Sequence, residues 1–206
     1  MLSIQKFLAA GLMIASSPGQ AQTVKYNPGD YKVDPMHSKV GFEVAHLVIS
    51  SVEGKFQKVD GQITLDKDFQ KSKVTANAET DSIDTGVKDR DDHLRSPDFF
   101  DTKNNPRLTF NSLEINGKPE SFKMTGNLTI KGVTKKVTFS GKYLGNATDA
   151  YGNDKAAFTA IAEINRKDFG LTWSKAVEIG PVVGDKIKIE LKIQAARAQA
   201  AKTAKN

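Results

Sequence analysis

The sequence predicts an all-β chain, a barrel or a sandwich of short antiparallel strands. Apolar and polar residues alternate with period two in run after run. The plainest case is Ile187, Ile189, Leu191 and Ile193 against Lys186, Lys188, Glu190 and Lys192. Turn pairs punctuate the runs at Asn116-Gly117, Lys131-Gly132 and Tyr151-Gly152-Asn153. No segment of any length holds a 3.6-residue period before the C-terminal tail.

Taken in order, residues 1–21 read as a secretory signal peptide. Lys6 is their only charge, Phe7 to Ala15 is a short apolar run, and Gly19 and Ala21 are spaced like a cleavage site. The run is shorter than the roughly 20 apolar residues that a membrane span requires. Residues 22–30 form a polar lead-in, expected to be exposed. The first strand region is Tyr31 to His46, with Ser38, Val40, Phe42, Val44 and His46 on one face and Lys39, Gly41, Glu43 and Ala45 on the other. Val52, Gly54 and Phe56 share one phase, whereas Val59, Gly61, Ile63 and Leu65 share the opposite one. A bulge or tight turn near Gln57–Lys58 must shift the register. After a turn at Asp66-Lys67-Asp68, Val74, Ala76 and Ala78 form the next inward face. Their small side chains leave room for a ligand in a hollow barrel, or for a large neighbour in a solid core. Five more strands follow, over 107–115, 121–131, 135–145, 155–165 and 185–195. Residues 196–206 are rich in Ala and Lys without an apolar face, and are expected to be a flexible tail.

One stretch breaks the rhythm. Thr80 to Pro106 has a helix start, dense charge, the pair Phe99-Phe100 and prolines that stop it. Asp84 or Thr85 is the expected cap of a helix beginning near Val87, Val87 and Leu94 are expected to press on the sheet, and Asp91 pairs with Arg95 at i,i+4. Residues 86–100 are therefore expected to form a lid over one end of whatever the sheet encloses, closed by Leu94 with Phe99 or Phe100.

Chemistry-bearing groups are few. The chain has no cysteine, so thiol catalysis and Cys-ligated metals are excluded. Its three histidines and its carboxylates offer one enzyme reading, a small exported metal-dependent hydrolase using Asp89, Asp91 and His93 with help from His37 or His46. Against it, adjacent acidic residues on a helix point about 100° apart, and no nucleophile-elbow, zinc-helix or phosphate-loop motif is present. A hydrogen-bonded structural role suits His93. A net charge of +6 over 206 residues fits a solubilising surface, or attraction to an anionic lipid. Basic residues do not cluster with stacking aromatics, which argues against nucleic acid.

The runs VDPMHSKVGFEVAHL, SIDTGVKDRDDHLRSPDFFD, GNLTIKGVTKKVTF, INRKDFG and VGDKIKIELKI, in that order, resemble the YceI family of bacterial periplasmic polyisoprenoid-binding proteins. The resemblance covers nearly all of the chain after residue 21, apart from the Ala/Lys tail. It implies an eight-stranded antiparallel lipocalin-like barrel over residues 22–195, with a long apolar cavity for an isoprenoid chain such as an isoprenoid quinone or a polyprenyl phosphate. It implies a periplasmic location and no catalytic residue. No metal and no cofactor beyond the bound lipid are expected, and the positive charge is compatible with transient contact with a membrane surface.

By alternation, Val40, Phe42, Val44, Ile63, Leu65, Ala76, Ala78, Phe110, Leu128, Ile130, Val137 and Phe139 are expected to line the interior, with Leu94, Phe99 and Phe100 at one end. His46 continues the first face and is expected to point inward near the rim, where a buried imidazole needs a partner. Three functions compete: a carrier of an amphiphilic prenyl lipid, the hydrolase, and a structural module whose barrel is filled by its own side chains.

Overall fold

The computed structural model describes residues 26–174, 176–177 and 180–198. The expected signal peptide and the last eight residues of the tail lie outside them.

Alternation is clearest in strand β4 (Val59–Leu65), where Val59, Gly61, Ile63 and Leu65 are buried and the residues between them are exposed. That pattern closes into a barrel. In the sheet, β1 (Gly29–Val33) pairs with β4, and the order continues through β5 (Lys73–Glu79), β7 (Arg107–Lys118), β8 (Ser121–Ile130), β9 (Val133–Thr148), β10 (Asp154–Asn165) and β13 (Val183–Arg197). β13 then returns to β1 through Tyr31↔Arg197 and Val33↔Ala195. Strands β2 (Lys39–His46), β3 (Ser50–Phe56) and the short β6 (Ile83–Asp84) extend β1, β4 and β5 as broken staves. β2 lies on β13 and β3, and β3 lies on β6. The result is eight antiparallel staves in up-and-down order, closed by the β1–β13 pairing, with the short β6 bonded to β3 on one side.

Each break has a local cause. Between β1 and β2, Pro35–His37 form one 3-10 turn, with the Asp34 carboxylate accepting from the Met36 N–H. The first stave is therefore not continuous. Ser38 leaves the inward face, and its hydroxyl donates to the Gln194 carbonyl. Between β3 and β4 the expected shift at Gln57–Lys58 is present. Gln57 N–H bonds the Ser82 carbonyl, and the Lys58 carbonyl accepts from Glu79 N–H. The turn expected at Asn116-Gly117 falls three residues later, at Pro119-Glu120, because β7 runs on to Lys118, which pairs with Ser121. A further pair, β11 (Ala176–Val177) and β12 (Gly180–Pro181), forms a separate two-stranded antiparallel sheet.

The two chain ends correct the sequence reading. Tyr26 is no exposed lead-in. Its ring stands edge-on to Phe69 and Tyr143, at 5.8 and 5.7 Å between centroids. At the other end the tail starts later than residue 196. Ala196 and Arg197 belong to β13, and Ala198 N–H bonds the Asp30 carbonyl. Strand pairing, not side-chain pattern, holds these residues, which is why composition alone misplaces the boundary.

The central stretch folds as one helix, α1 (Lys88–Arg95), followed by turns through Asn105. Its ends are tied together by buried Thr80, whose N–H and hydroxyl donate to the Pro106 and Asn105 carbonyls at 3.0 and 2.6 Å. The expected caps differ. The N-cap is Val87, with no side-chain bond, and Val87 is 47% exposed instead of pressed on the barrel. Buried Asp91 reaches back from the first turn and accepts from both the N–H and the hydroxyl of Thr85. With Asp91 so occupied, Arg95 pairs with Asp92 at 3.0 Å, not with Asp91.

Candidate functional site

The barrel encloses a cavity of about 250 Å³. Its lining includes the inward faces of β2, β4, β5, β7, β8, β10 and β13, and Leu94, Phe99 and Phe100 close the lid end. Small residues keep it open: Ala76 and Ala78 on β5 and Ala160 on β10 line it. So do aromatic rings laid along the wall. Phe42 lies over its cross-strand partner Gly54, and a Cβ there would collide with the ring. Phe110 lies over Gly126 in the same way. With a side chain beneath them, both rings would be pushed into the lumen. Choosing glycine at these two places removes bulk from the wall instead of from the centre.

Of the residues expected to line the interior, the structure brings Val40, Phe42, Val44, Ile63, Leu65, Ala76, Ala78, Leu94, Phe99, Phe100, Phe110, Leu128, Ile130 and Phe139 together around the cavity. Two it does not. Val137 is buried opposite Gly126, the glycine over which the Phe110 ring lies, and is not part of the cavity wall. His46 is half-exposed at the rim, because β13 shifts register between Val183 and Ile187 where the stave ends.

Sequence reasoning passed over part of the lining. Phe158, Ile164 and the stripe Ile187, Ile189, Leu191 and Ile193 all face the cavity, and the stripe's alternation was the available clue. It also passed over Arg166, where no pattern gives a clue. Arg166 is 2% exposed and sits at the lid end. Its guanidinium donates to the carbonyls of Gly184 (2.9 Å), Leu171 (2.6 Å), Trp173 (2.7 Å) and Val183 (3.4 Å), and to the Asp185 carboxylate (3.1 Å). That uses all five donors of the fork. The Asp185 carboxyl is held below its usual range by a hydrogen bond from Lys167 and by the charges of Lys167 and Arg166. Arg166 is thus a knot tying the 171–173 segment to the start of β13, with nothing left to offer a ligand.

Two further polar lining residues, Ser72 and Asn77, are likewise engaged. The Ser72 hydroxyl accepts from Asp66 N–H at 3.0 Å, and Asn77 donates to Asp60 at 2.9 Å. The opposite end of the cavity is plugged by aromatics. Phe69 and Phe122 lie 5.2 Å apart, and behind them Tyr26, Tyr143 and Phe158 continue the stack. Burial pushes the Tyr143 phenol up to about 12, and it raises Tyr26 as well.

The hydrolase trio does not assemble. Asp89 is exposed on α1, Asp91 is buried against Thr85, and His93 turns to Asp98 at 3.1 Å, with its ring edge-on to Phe99 and Trp173. Among the described residues no three His, Asp or Glu side chains are placed to share a metal ion. What the geometry can do is take a slender apolar body out of water.

Comparison with known proteins agrees with this architecture. A family model described as a YceI-like domain matches residues 31–195. A UPF0312 protein of Serratia proteamaculans is 36% identical over 195 residues, covering 93% of this chain and 96% of that protein. Among solved structures, BcnA of Burkholderia cenocepacia superposes with a TM-score of 0.70 at 26% identity, over 79% of this chain and 98% of that one. A polyisoprenoid-binding domain from Saccharophagus degradans shares the fold at 13% identity, with a TM-score of 0.62, over 82% of this chain and 98% of that one.

Proposed function

The chain belongs to the YceI-like family, and from that premise we propose that it is an exported carrier holding the chain of an isoprenoid lipid inside its barrel. The observation that carries this reading is the cavity: continuous, overwhelmingly apolar, and with the Arg166, Ser72 and Asn77 side chains on its wall already engaged. At about 10–15 Å³ per water-sized group it takes roughly 20 non-hydrogen atoms, or about four five-carbon isoprene units. Burying such a chain gains about 0.8 kcal/mol per CH₂ before the cost of ordering it. The Saccharophagus domain, described as polyisoprenoid-binding, supports the choice of ligand class. An isoprenoid quinone or a polyprenyl phosphate fits, with the head group at the lid end. The Lys6, apolar-run and Ala21 pattern supports export to the periplasm, with cleavage after Ala21.

Native mass spectrometry of the protein purified without added lipid is expected to show a co-purified hydrophobic mass, and bound zinc instead would favour the hydrolase. Ala76→Trp is expected to block the cavity while the barrel still folds. Prenyl-lipid binding is lost and melting stays near wild type, because the ring enters open space. A loss of stability on the order of 1–3 kcal/mol would mean that Ala76 faces a filled core. N-terminal sequencing of the protein from its native host should begin at Gln22.

A further inference from the structure

The tip of the β2–β3 hairpin presents apolar residues where a turn ordinarily presents polar ones. Val48 is 65% exposed and Ile49 is 81% exposed. Leu47 and Val48 both have positive φ, 52° and 66°. The β8–β9 turn adopts similar angles, 49° and 75°, but uses Lys131-Gly132. Glycine and asparagine suit that conformation, and a β-branched valine there is an outlier. Local preference is overridden here to place valine and isoleucine in water.

The hairpin is also free of charge. Its last charged pair is Glu43↔Glu53, and none of the nine residues from Val44 to Val52 is Asp, Glu, Lys or Arg. From that pair to the tip is five residues, about 16 Å at strand rise. The adjoining segment Gly180–Gly184 has no charged residue either, and Leu47 N–H bonds the Val182 carbonyl at 3.1 Å. Val44 and Val183, at the roots of the two segments, line the cavity. Other turns of the barrel are charged, by Asp66, Lys67 and Asp68, by Lys118 and Glu120 and by Asp149 at the opposite end and by Lys131 at the same end. α1 is charged as well, so the uncharged surface belongs to this hairpin and Gly180–Gly184 and not to the whole end.

We propose that the hairpin tip Leu47–Ile49 inserts into a lipid bilayer and seats the mouth of the barrel on it. The choice of occupant rests on the lipid-carrier reading. A bilayer is the surface that excludes charge and accepts isolated apolar side chains. A second copy of the chain is disfavoured, since two exposed side chains fall far short of the roughly 1,000 Å² that a stable protein interface buries. Neither Val48 nor Ile49 lines the cavity, so the tip delivers the protein to the membrane and leaves the hold on the ligand unchanged.

The test is flotation of the protein with vesicles of phosphatidylcholine alone, and with vesicles containing phosphatidylglycerol, at low and high salt. The wild type is expected to float with both, with little salt dependence. Val48→Gly/Ile49→Ser is expected to lower partitioning at least tenfold. Its melting temperature should hold or rise, because glycine suits the turn, and prenyl-lipid binding in detergent should be unchanged. Equal flotation of the two proteins, or no flotation of either, overturns the proposal. So does flotation confined to anionic vesicles and abolished by salt, which would assign the contact to surface lysines. Loss of a dimer in the variant, without any vesicle binding by the wild type, overturns it in favour of self-association. Failure of the carrier reading shows separately, as wild type that binds no prenyl lipid in detergent.

Discussion

The two ends of this barrel are closed by different physics. One end is plugged from within. Tyr26, Phe69, Phe122, Tyr143 and Phe158 stack at centroid distances of 5.2 to 5.8 Å, and the tyrosine hydroxyls reach backbone groups, as Tyr31 does at the Asn27 carbonyl (2.8 Å). The other end is covered from outside. A single helix and two turn segments are tied down by hydrogen bonds to backbone carbonyls, from Thr80, Arg95 and Arg166. A plug made of rings opens only if the core melts. A cover held by side-chain ties can lift while the barrel stays intact, and local opening of this kind draws on the least stable parts of a fold. The difference points to the lid end as the entrance.

The most damaging test of this contrast is Arg166→Met. It leaves four backbone carbonyls without their donor. A loss of about 3–5 kcal/mol is expected, as for breaking a buried charged network by removing one partner. Hydrogen exchange should rise over residues 170–174 and the start of β13 before it rises at the plug. Uniform loss of protection would show the two ends to be one cooperative unit. Phe122→Ala, at the plug, is expected to cost about 3 kcal/mol. It should also deepen the cavity, so that a longer prenyl chain binds more tightly than in wild type, a comparison that competition binding reads directly.

Titration is expected to separate the ends with a smaller effect. Tyr143 and Tyr26 have folded pKa values raised above the unfolded value of about 10. Their contribution is whole below pH 10 and is lost as pH rises toward about 12. Tyrosinate absorbance and exchange at β1 and β9 should therefore change together at high pH, with the lid end following. Asp185 at the lid end and Asp149 at the plug end both have lowered pKa values, the first through Lys167 and the second through Asn153. Their contributions are present above the unfolded value of about 4 and are lost as pH falls below it. Acid thus weakens both ends, and the alkaline limb is the one that discriminates. The smallest effect belongs to His93→Gln. Its partner Asp98 is exposed, so less than about 1 kcal/mol is expected, with prenyl-lipid binding kept. Lost binding with unchanged melting would return His93 to the site.

The sequence by itself determined the staves, the shift at Gln57–Lys58, the intervening helix and part of the cavity wall. All of these follow from period-two alternation and turn chemistry, which act between neighbours in the chain. Only the tertiary structure decided the rest. That Phe110 can lie along the wall depends on Gly126 one strand away, in a register no local pattern records. That Asp91 serves Thr85 instead of Arg95 depends on the path the chain takes into the helix. Arg166 lies in a polar run, and its burial follows from carbonyls supplied by segments as far off as Gly184, brought together only when β13 closes the barrel. Alternation states which way a side chain points, but what it meets there is set by strands distant in the sequence.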